Sequence, residues 1–376
     1  MSIKFKFIEL NYYYHGEFTT PEEAINRHRP SNLFVLHLTR TADTILIKHL
    51  NYSGSHSANG IRYRFFRSRN RFFHIPSETH RFVRDEKPDM VLVQGLIFPL
   101  QVIALRKMLG KHCKIVLQHH GEPPFRWKRI FQRIADRYVD AYIFTSIGNA
   151  REWLETGVIR DNRKCYEIIP SSTEFSRQDK LLSRQKTGMK GEKIFLWVGR
   201  LNENKDPVTV LKGFEKYSRD HPADRLYMIY GEDDILKQVK EIIVNSPILP
   251  GRVELIGKTA HPELVHWYSA ADYFISGSHH EGGSYALTEA MACGCVPIVT
   301  NIPASMKAID DGEAGYYYEA GNSEALYNVL SGLPLEQPDE MSNRVEKQFA
   351  INFSPAAIAD KFIAVYQDLK SGSAAN

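Results

Sequence analysis

Residues 193–217 read KIFLWVGRLNENKDPVTVLKGFEKY, and this stretch decides the fold. Lys193 to Val198 is an apolar, β-prone run that predicts a strand. Gly199 ends it, and a polar loop with two cations, Arg200 and Lys205, follows. Val208 to Tyr217 then carries apolar residues at helical spacing. Strand, glycine, short loop and helix make the first part of a βαβ unit. The pattern repeats downstream: Leu226 to Tyr230, Val253 to Ile256, Tyr273 to Ser276 and Val296 to Val299 predict strands. Ile235 to Asn245, Pro262 to Ala270 and Ser284 to Ala292 predict the helices between them. This is the pattern of a doubly wound α/β unit.

Upstream lies a second alternation. Met1 to Leu10, Leu33 to Leu38, Met90 to Gln94, Lys114 to Gln118 and Ala141 to Thr145 predict strands. Phe98 to Leu109 and Trp127 to Tyr138 predict helices. A polar stretch rich in Ser, Arg, Lys and Gly separates the two alternations. The expected organisation is an N-terminal domain over 1–175, a linker over 176–192, a C-terminal domain over 193–353 and a closing helix over 354–370. A chain of 376 residues suits two domains, each large enough for its own core.

Composition is that of a soluble globular chain, with 43% hydrophobic and 24% charged residues. No secretory signal opens the sequence, and no apolar run reaches the roughly 18 residues that a membrane span needs. The four cysteines, Cys113, Cys165, Cys293 and Cys295, are too few for a disulfide framework, so a cytoplasmic location is expected. Cys293 and Cys295 flank a glycine in an apolar stretch and read as small core residues rather than a metal or redox pair. Residues 1–170 hold 27 Lys and Arg against 16 Asp and Glu, whereas the remainder holds 21 against 28. The basic half either meets something anionic or simply carries solvated charge. Two basic aromatic stretches, 63–73 and 125–133, suit an anionic lipid surface and could give the N-terminal domain a peripheral membrane contact, although the first alternates by two and also reads as a strand with a charged face. No nucleic-acid module is visible, and no nucleic-acid partner is expected.

The chemistry should sit at the carboxyl ends of the strands, where open α/β sheets bind ligands. Gly199 permits close backbone approach there. Arg200 offers a fork and Lys205 a point charge to a phosphate, although either is also an ordinary surface cation. Residues 281–289, EGGSYALTE, follow a predicted strand and open a helix. Backbone N–H groups at Gly283, Ser284 and Tyr285 offer an anion site at the helix start. Glu281 suits sugar hydroxyls, and Glu289 suits ribose hydroxyls. Glu289 enters an uncharged run, Ala290 to Val296, and a carboxylate buried there needs a partner.

These residues carry a resemblance. EGGSYALTEAMACGCVPIVT, over 281–300, resembles the signature of retaining GT-B glycosyltransferases of the glycosyltransferase family 4 type (glycosyl transferases group 1). VGRLNENK resembles the donor diphosphate loop of that family, KTAHPELVHWYSAADYFISGS its preceding helix and strand, and FSPAAIADKFIAVYQDL its terminal crossover helix. The resemblance covers about 193–369. It implies two Rossmann-like domains facing a central cleft, a nucleotide diphosphate sugar as donor, a glycan or lipid-linked acceptor, no cofactor and no metal. It assigns Arg200 and Lys205 to the diphosphate, Glu281 to the transferred sugar and Glu289 to the ribose. Gly199, Gly283, Ser284 and Tyr285 complete the donor cradle, and Tyr230 and Lys258 border the base. His120, in the run QHHGEPP at 118–124, matches the family's histidine facing the donor sugar. Glu232-Asp233-Asp234 reads as surface charge, not as a metal site. Two departures stand out. Residues 10–16, LNYYYHG, hold three tyrosines and one glycine where the family has a glycine-rich loop, so stacking on sugar rings is expected there. Asn301 to Ala304 replaces a second glycine-rich turn. A sugar-nucleotide epimerase of the same architecture and a non-catalytic sugar-nucleotide binding protein are the rival readings. No G-x-G-x-x-G follows the first strand, which disfavours a nicotinamide dehydrogenase.

Overall fold

The computed structural model describes residues 5–28, 32–68, 73–125, 127–334 and 339–372. Met1 to Lys4 of the first expected strand, and Arg69 to Phe72 and Arg126 of the basic aromatic stretches, lie outside the described residues. The chain forms two compact units, residues 1–170 with 355–376, and residues 171–354.

In chain order, the first unit runs β1 (Phe5–His15), α1 (Pro21–His28), α2 (Leu33–Leu38), β2 (Ala42–Leu50), β3 (Gly54–Ala58), β4 (Ile61–Phe66) and α3 (Ser77–Glu86). It continues β5 (Met90–Gln94), α4 (Pro99–Leu109), β6 (Lys114–Gln118), α5 (Arg129–Ala135), β7 (Ala141–Phe144), α6 (Arg151–Glu155) and β8 (Cys165–Glu167). The sheet order is β3-β4-β2-β1-β5-β6-β7-β8. All pairs are parallel except β3 with β4, which turn on Asn59-Gly60, both at positive φ as a two-residue hairpin requires. The central strands are buried on both faces, so MVLVQ of β5 runs apolar without alternation.

Leu33 to Leu38 is a helix, not the expected strand. A six-residue apolar run fits either element by periodicity; here Leu33, Phe34, Val35 and Leu38 are buried and Leu36 and His37 half-buried. The slot beside β1 belongs to β2, which the sequence reading did not identify. The three tyrosines of 10–16 also depart from expectation, because β1 continues through them. Tyr12 is fully buried and bonds His80, and Tyr13 packs edge-on against Phe98. Of the first basic aromatic stretch, Tyr63 to Phe66 lie on β4 with Tyr63, Phe65 and Phe66 buried, so they belong to the core.

The second unit runs α7 (Lys180–Thr187), β9 (Ile194–Gly199), α8 (Pro207–Tyr217), β10 (Arg225–Tyr230), α9 (Leu236–Asn245), β11 (Val253–Gly257) and α10 (Leu264–Ala270). It continues β12 (Tyr273–Ile275), α11 (Tyr285–Ala292), β13 (Val296–Thr300), α12 (Pro303–Ala308), β14 (Tyr316–Tyr318), α13 (Ser323–Ser331) and α14 (Asp339–Asn352). The parallel sheet has order β11-β10-β9-β12-β13-β14. Counted from β9, this is 3-2-1-4-5-6, the dinucleotide-binding order, with its switch point between β9 and β12.

Residues 176–192, expected as a linker, lie within the second unit. They carry α7, whose Lys180 and Arg184 both pair with the buried Asp272 carboxylate at the start of β12. That carboxylate also accepts from the Ile194 N–H at 2.7 Å. Polarity of this segment thus reflects charge pairing, not separation of domains. The last helix, α15 (Pro355–Ser371), is grouped with the first unit, burying Ile358, Phe362, Val365 and Leu369 in its core. Its Phe362 stacks on Phe34 of α2, at 4.7 Å between ring centroids, and Tyr366 stacks on Phe5 at 4.4 Å. Cys293 and Cys295 are buried free thiols; burial pushes Cys293 up to about 12.

Candidate active site

The switch point sets two loops of the second unit side by side: 200–206 after β9 and 276–284 after β12. They are tied together through the backbone. The His279 N–H donates to the Asn204 carbonyl at 2.9 Å. The Asn204 side chain accepts from the His280 N–H at 3.0 Å and donates to the His280 carbonyl at 3.1 Å. Gly277 makes this approach possible. A Cβ there would lie 2.7 Å from the Asp206 carbonyl oxygen and 3.0 Å from that of Lys205. Asp206, at φ +39°, caps α8 by accepting from the Thr209 N–H at 3.0 Å, and its other oxygen meets His279 Nε2 at 3.0 Å.

Lys205 and Glu281 join across these loops. Lys205 Nζ pairs with Glu281 Oε1, which also accepts from Ser278 Oγ at 2.7 Å. Both side chains are largely buried, at 18% and 11% exposure. Arg200 is different. It is 60% exposed and pairs with Glu232 at 3.4 Å. Gly199 ends β9, where an added Cβ would lie 3.2 Å from the Trp197 ring and 3.7 Å from Lys205 Cγ. Gly283 stands at φ +136°, and Ser284 caps α11 by accepting from the Leu287 N–H at 3.3 Å. Tyr285 opens that helix with its side chain exposed. The amide end of α11, three residues after Glu281, is suited to an anion.

Glu289 has the partners its setting demanded. Its carboxylate is 4% exposed, with Oε1 2.7 Å from His261 Nε2 and Oε2 accepting from the Tyr268 hydroxyl at 3.1 Å. The hydrogen bond that His261 donates to Glu289 raises the His261 pKa above its ordinary value, and His261 stacks on Phe175 at 5.1 Å. Tyr230 and Gly257-Lys258 end the neighbouring strands β10 and β11, on the same edge of the sheet. Glu232, Asp233 and Asp234 are exposed. Among the described residues no three His, Cys, Asp or Glu side chains gather in a metal-binding group.

In the first unit His120 follows β6. Its Nε2 lies 2.6 Å from Gln94 Oε1, and its N–H donates to Glu122 at 2.7 Å. The other Glu122 oxygen accepts from the Leu96 N–H at 2.5 Å, so one carboxylate joins the loops after β5 and β6. His119 is buried against Phe144 and Trp153, with Nε2 2.9 Å from the Glu122 carbonyl oxygen, which fits a structural role. Lys48 and Glu9, both almost fully buried, form an ion pair at 3.6 Å across β1 and β2.

Sequence reasoning missed several of these partners: Asn204, Asp206 with His279, Ser278, His261, Tyr268, Gln94, Glu122 and the Glu9–Lys48 pair. Asp206-Pro207 before a helix was a readable capping signal. Ser278 lies three residues from Glu281 in the same loop, and the others become partners only through strand order, which brings together residues 21 to 76 positions apart. No helix among the described residues is long and apolar enough to cross a membrane.

Comparison with known proteins agrees with this geometry. Spore coat protein SA of Bacillus subtilis is 23% identical over 240 residues, 61% of this chain and 63% of that protein. N-acetyl-alpha-D-glucosaminyl L-malate synthase of Bacillus anthracis is 23% identical over 276 residues, 70% of each. The crystal structure of Anabaena HepE in complex with UDP superposes with a TM-score of 0.73 at 13% identity, covering 96% of this chain and all of HepE. That likeness shows the fold, GT-B, built of two Rossmann-like units. Residues 179–348, which include every site residue described in the second unit except Phe175, match the family model of the glycosyl transferases group 1. That match lies wholly within the second unit, which is where the chain's likeness to the glycosyl transferases group 1 sits.

Proposed function

We propose that this chain moves a sugar from a nucleoside diphosphate sugar to a glycan or lipid-linked acceptor, with retention of anomeric configuration and without a metal ion. The observation that carries the reading is the Lys205–Glu281 pair, held between the two switch-point loops beside the amide end of α11. The UDP held in the HepE structure supports a donor of this class.

In this reading the acceptor hydroxyl oxygen bonds to the anomeric carbon as that carbon's bond to the diphosphate oxygen breaks. Attack comes from the face that the diphosphate leaves, and the departing oxygen takes the acceptor proton. No side-chain base is required. Lys205, Arg200 and the α11 amide end hold the growing charge, and the rest of the catalysis is orientation. Arg200 leaves Glu232 at little cost, because an exposed pair contributes only about 0–1 kcal/mol. Glu281 accepts from the transferred sugar and Glu289 from the ribose, with lone pairs left beyond those used by Ser278, His261 and Tyr268. Tyr230 and Lys258 border the base, Gly199, Gly283, Ser284 and Tyr285 line the donor, and His120 meets the transferred sugar. The enzyme works in the cytoplasm, at the inner face of the membrane when its acceptor is lipid-linked.

Turnover should fall about 100-fold or more in Lys205→Ala and in Arg200→Ala, the cost of losing one preorganised charge-stabilising group. A chelator should leave the rate unchanged, and donor incubated alone should not be isomerised. Rates near wild type in both variants would sink the assignment, and conversion of donor alone to an epimer would replace it.

A further inference from the structure

Asp206 is held in a conformation that capping a helix does not require. An N-cap residue typically keeps extended backbone angles and uses one side-chain oxygen. Asp206 instead stands at φ +39° and ψ +60°, left-handed space that a residue with a Cβ enters at a cost. It also uses both oxygens. One accepts from the Thr209 N–H at 3.0 Å and caps α8, and the other lies 3.0 Å from His279 Nε2. A carboxylate only accepts, so His279 donates from Nε2. The cap accounts for the first bond. It does not account for the second, or for the backbone angles.

The second bond steadies the loop of Lys205 more than the loop of His279. The 276–281 loop is already fixed from its other side. The Tyr318 hydroxyl at the end of β14 donates to the Ser276 carbonyl at 3.0 Å, and the Thr300 hydroxyl at the end of β13 donates to the Ser278 carbonyl at 2.5 Å. The His279 ring also rests on the loop after β14, where a Cβ added to Gly321 would lie 3.3 Å from its Cε1. His279 is thus a fixed post. The turn that carries Lys205 closes on Asn202, whose side chain accepts from the Lys205 N–H at 3.0 Å and whose carbonyl accepts from the Asp206 N–H at 3.1 Å. Helix α8 is anchored in the core by Val210, Leu211 and Phe214. The angles at Asp206 therefore set how the 202–205 turn stands on that helix, and with it the direction in which Lys205 reaches Glu281.

We infer that His279 is a positioning residue for transfer: through Asp206 it holds the turn that aims Lys205 at the donor diphosphate. The inference rests on the function proposed above, in which Lys205 stabilises the departing diphosphate, and it adds a residue to which that reading gives no part. His279 acts through Asp206 and Lys205, so its removal should matter only while the Lys205 ammonium is there to be aimed.

The test compares His279→Ala, which removes the donor to Asp206, with His279→Gln, which keeps an N–H within its reach. Turnover of the full chain is read as nucleoside diphosphate released from whichever of UDP-glucose, GDP-mannose and ADP-glucose wild type uses. In His279→Ala kcat should fall about tenfold while the donor KM moves less than about threefold, because a misaimed charge is missed most where charge is greatest. His279→Gln should recover kcat to within about threefold of wild type. Added to Lys205→Ala, His279→Ala should cost less than about a further twofold. Hydrogen exchange needs no donor: the peptide over 200–209 should lose protection in His279→Ala and keep it in His279→Gln, with both melting temperatures within about 3 °C of wild type. Wild-type kcat in His279→Ala, no recovery in His279→Gln, losses that multiply in the double variant, or unchanged exchange over 200–209 each overturns the inference. Wild-type turnover by Lys205→Ala strikes the proposed function itself, and takes the aim of Lys205 with it. The exchange result then still shows whether His279 holds the loop.

Discussion

The carboxyl ends of the two sheets solve one problem with opposite chemistry. In the second unit the loops are drawn together through carboxylates: Lys205 on Glu281, Arg200 on Glu232, His279 on Asp206, His261 on Glu289. In the first unit much of the polar work near the ends of β1 and β2 is done by uncharged histidines. His49 fits its surroundings as a neutral ring, since the Asn11 carbonyl at 2.8 Å can only accept from Nδ1 and the Thr79 hydroxyl lies 3.0 Å from Nε2. His80 meets the Tyr12 hydroxyl at 2.7 Å in a fully buried setting. Burial holds both histidines down at about 4, whereas Glu289 pulls His261 up. Charge is gathered at the loops where the proposed function puts a charged donor. In the first unit neutral histidines satisfy hidden groups beside one buried ion pair, Glu9 with Lys48.

The largest effect that would break this comparison is acid instability confined to the first unit. For His49 and His80 the folded pKa, about 4, lies below the ordinary 6.5, so the unfolded chain binds more protons between those values. Their contribution is complete above about pH 6.5 and is lost as pH falls through about 4, on the order of 3 kcal/mol for each. His28, also lowered to about 4, adds in the same direction. Hydrogen exchange read peptide by peptide at pH 7 and pH 4.5 should show β1, β2 and α3 losing protection well before β9 and β12. Uniform loss across both sheets would contradict the neutral-histidine account.

A smaller effect sharpens the same contrast through two glycines. Gly277→Ala places a Cβ against two backbone oxygens, so the switch-point loops must move apart. A displacement near 1 Å at a site of this kind costs about 100-fold in rate. Gly121, beside His120, stands at φ +94° with nothing within 4 Å of an added Cβ. Gly121→Ala should cost roughly 1–2 kcal/mol of local strain. Its effect on turnover should be the milder one, because the Glu122 carboxylate still holds the loop. Initial rates and melting curves for both variants decide the matter. A Gly121→Ala enzyme slower than Gly277→Ala would reverse the ranking of the two loops.

How far the sequence could be read follows the same divide. The second unit was legible because each strand of 193–299 is followed closely by a glycine or polar loop and a helix, so local pattern and topology agree. Position together with the family resemblance points to Lys205, Glu281 and Glu289, and the need of Glu289 for a partner was visible in its uncharged surroundings. That the partners are His261 and Tyr268 was not, since α10 must first be laid beside α11. The first unit was less legible. Leu33–Leu38 looks like a strand, β2 hides a buried Lys48 and His49 in a run that periodicity alone ranks low, and β1 runs on through tyrosines that resemble a loop. Two basic aromatic stretches also looked alike, yet Tyr63 to Phe66 became core and Trp127 to Ile134 became surface.

The smallest effect concerns His261, where the comparison turns on a single proton. Its pKa is raised by Glu289, so its contribution is complete below about 6.5 and is lost as pH rises through the folded value. The donor reading makes Glu289 the ribose acceptor, and His261 then acts by fixing the orientation of that carboxylate. Glutamine at 261 keeps a donor to Oε1 but not the charge, so His261→Gln should raise the donor KM by about fivefold to tenfold, the worth of one charge-assisted bond over a neutral one, with kcat little changed. It should also flatten the rise in donor KM expected of wild type on the alkaline side, whereas His261→Ala should lose affinity at every pH. A purely structural histidine predicts another pattern, in which the melting temperature falls in both variants and the wild-type pH dependence of KM survives in His261→Gln. The pH profile of KM thus separates a positioning charge from a packing ring in a way that the rate at one pH does not.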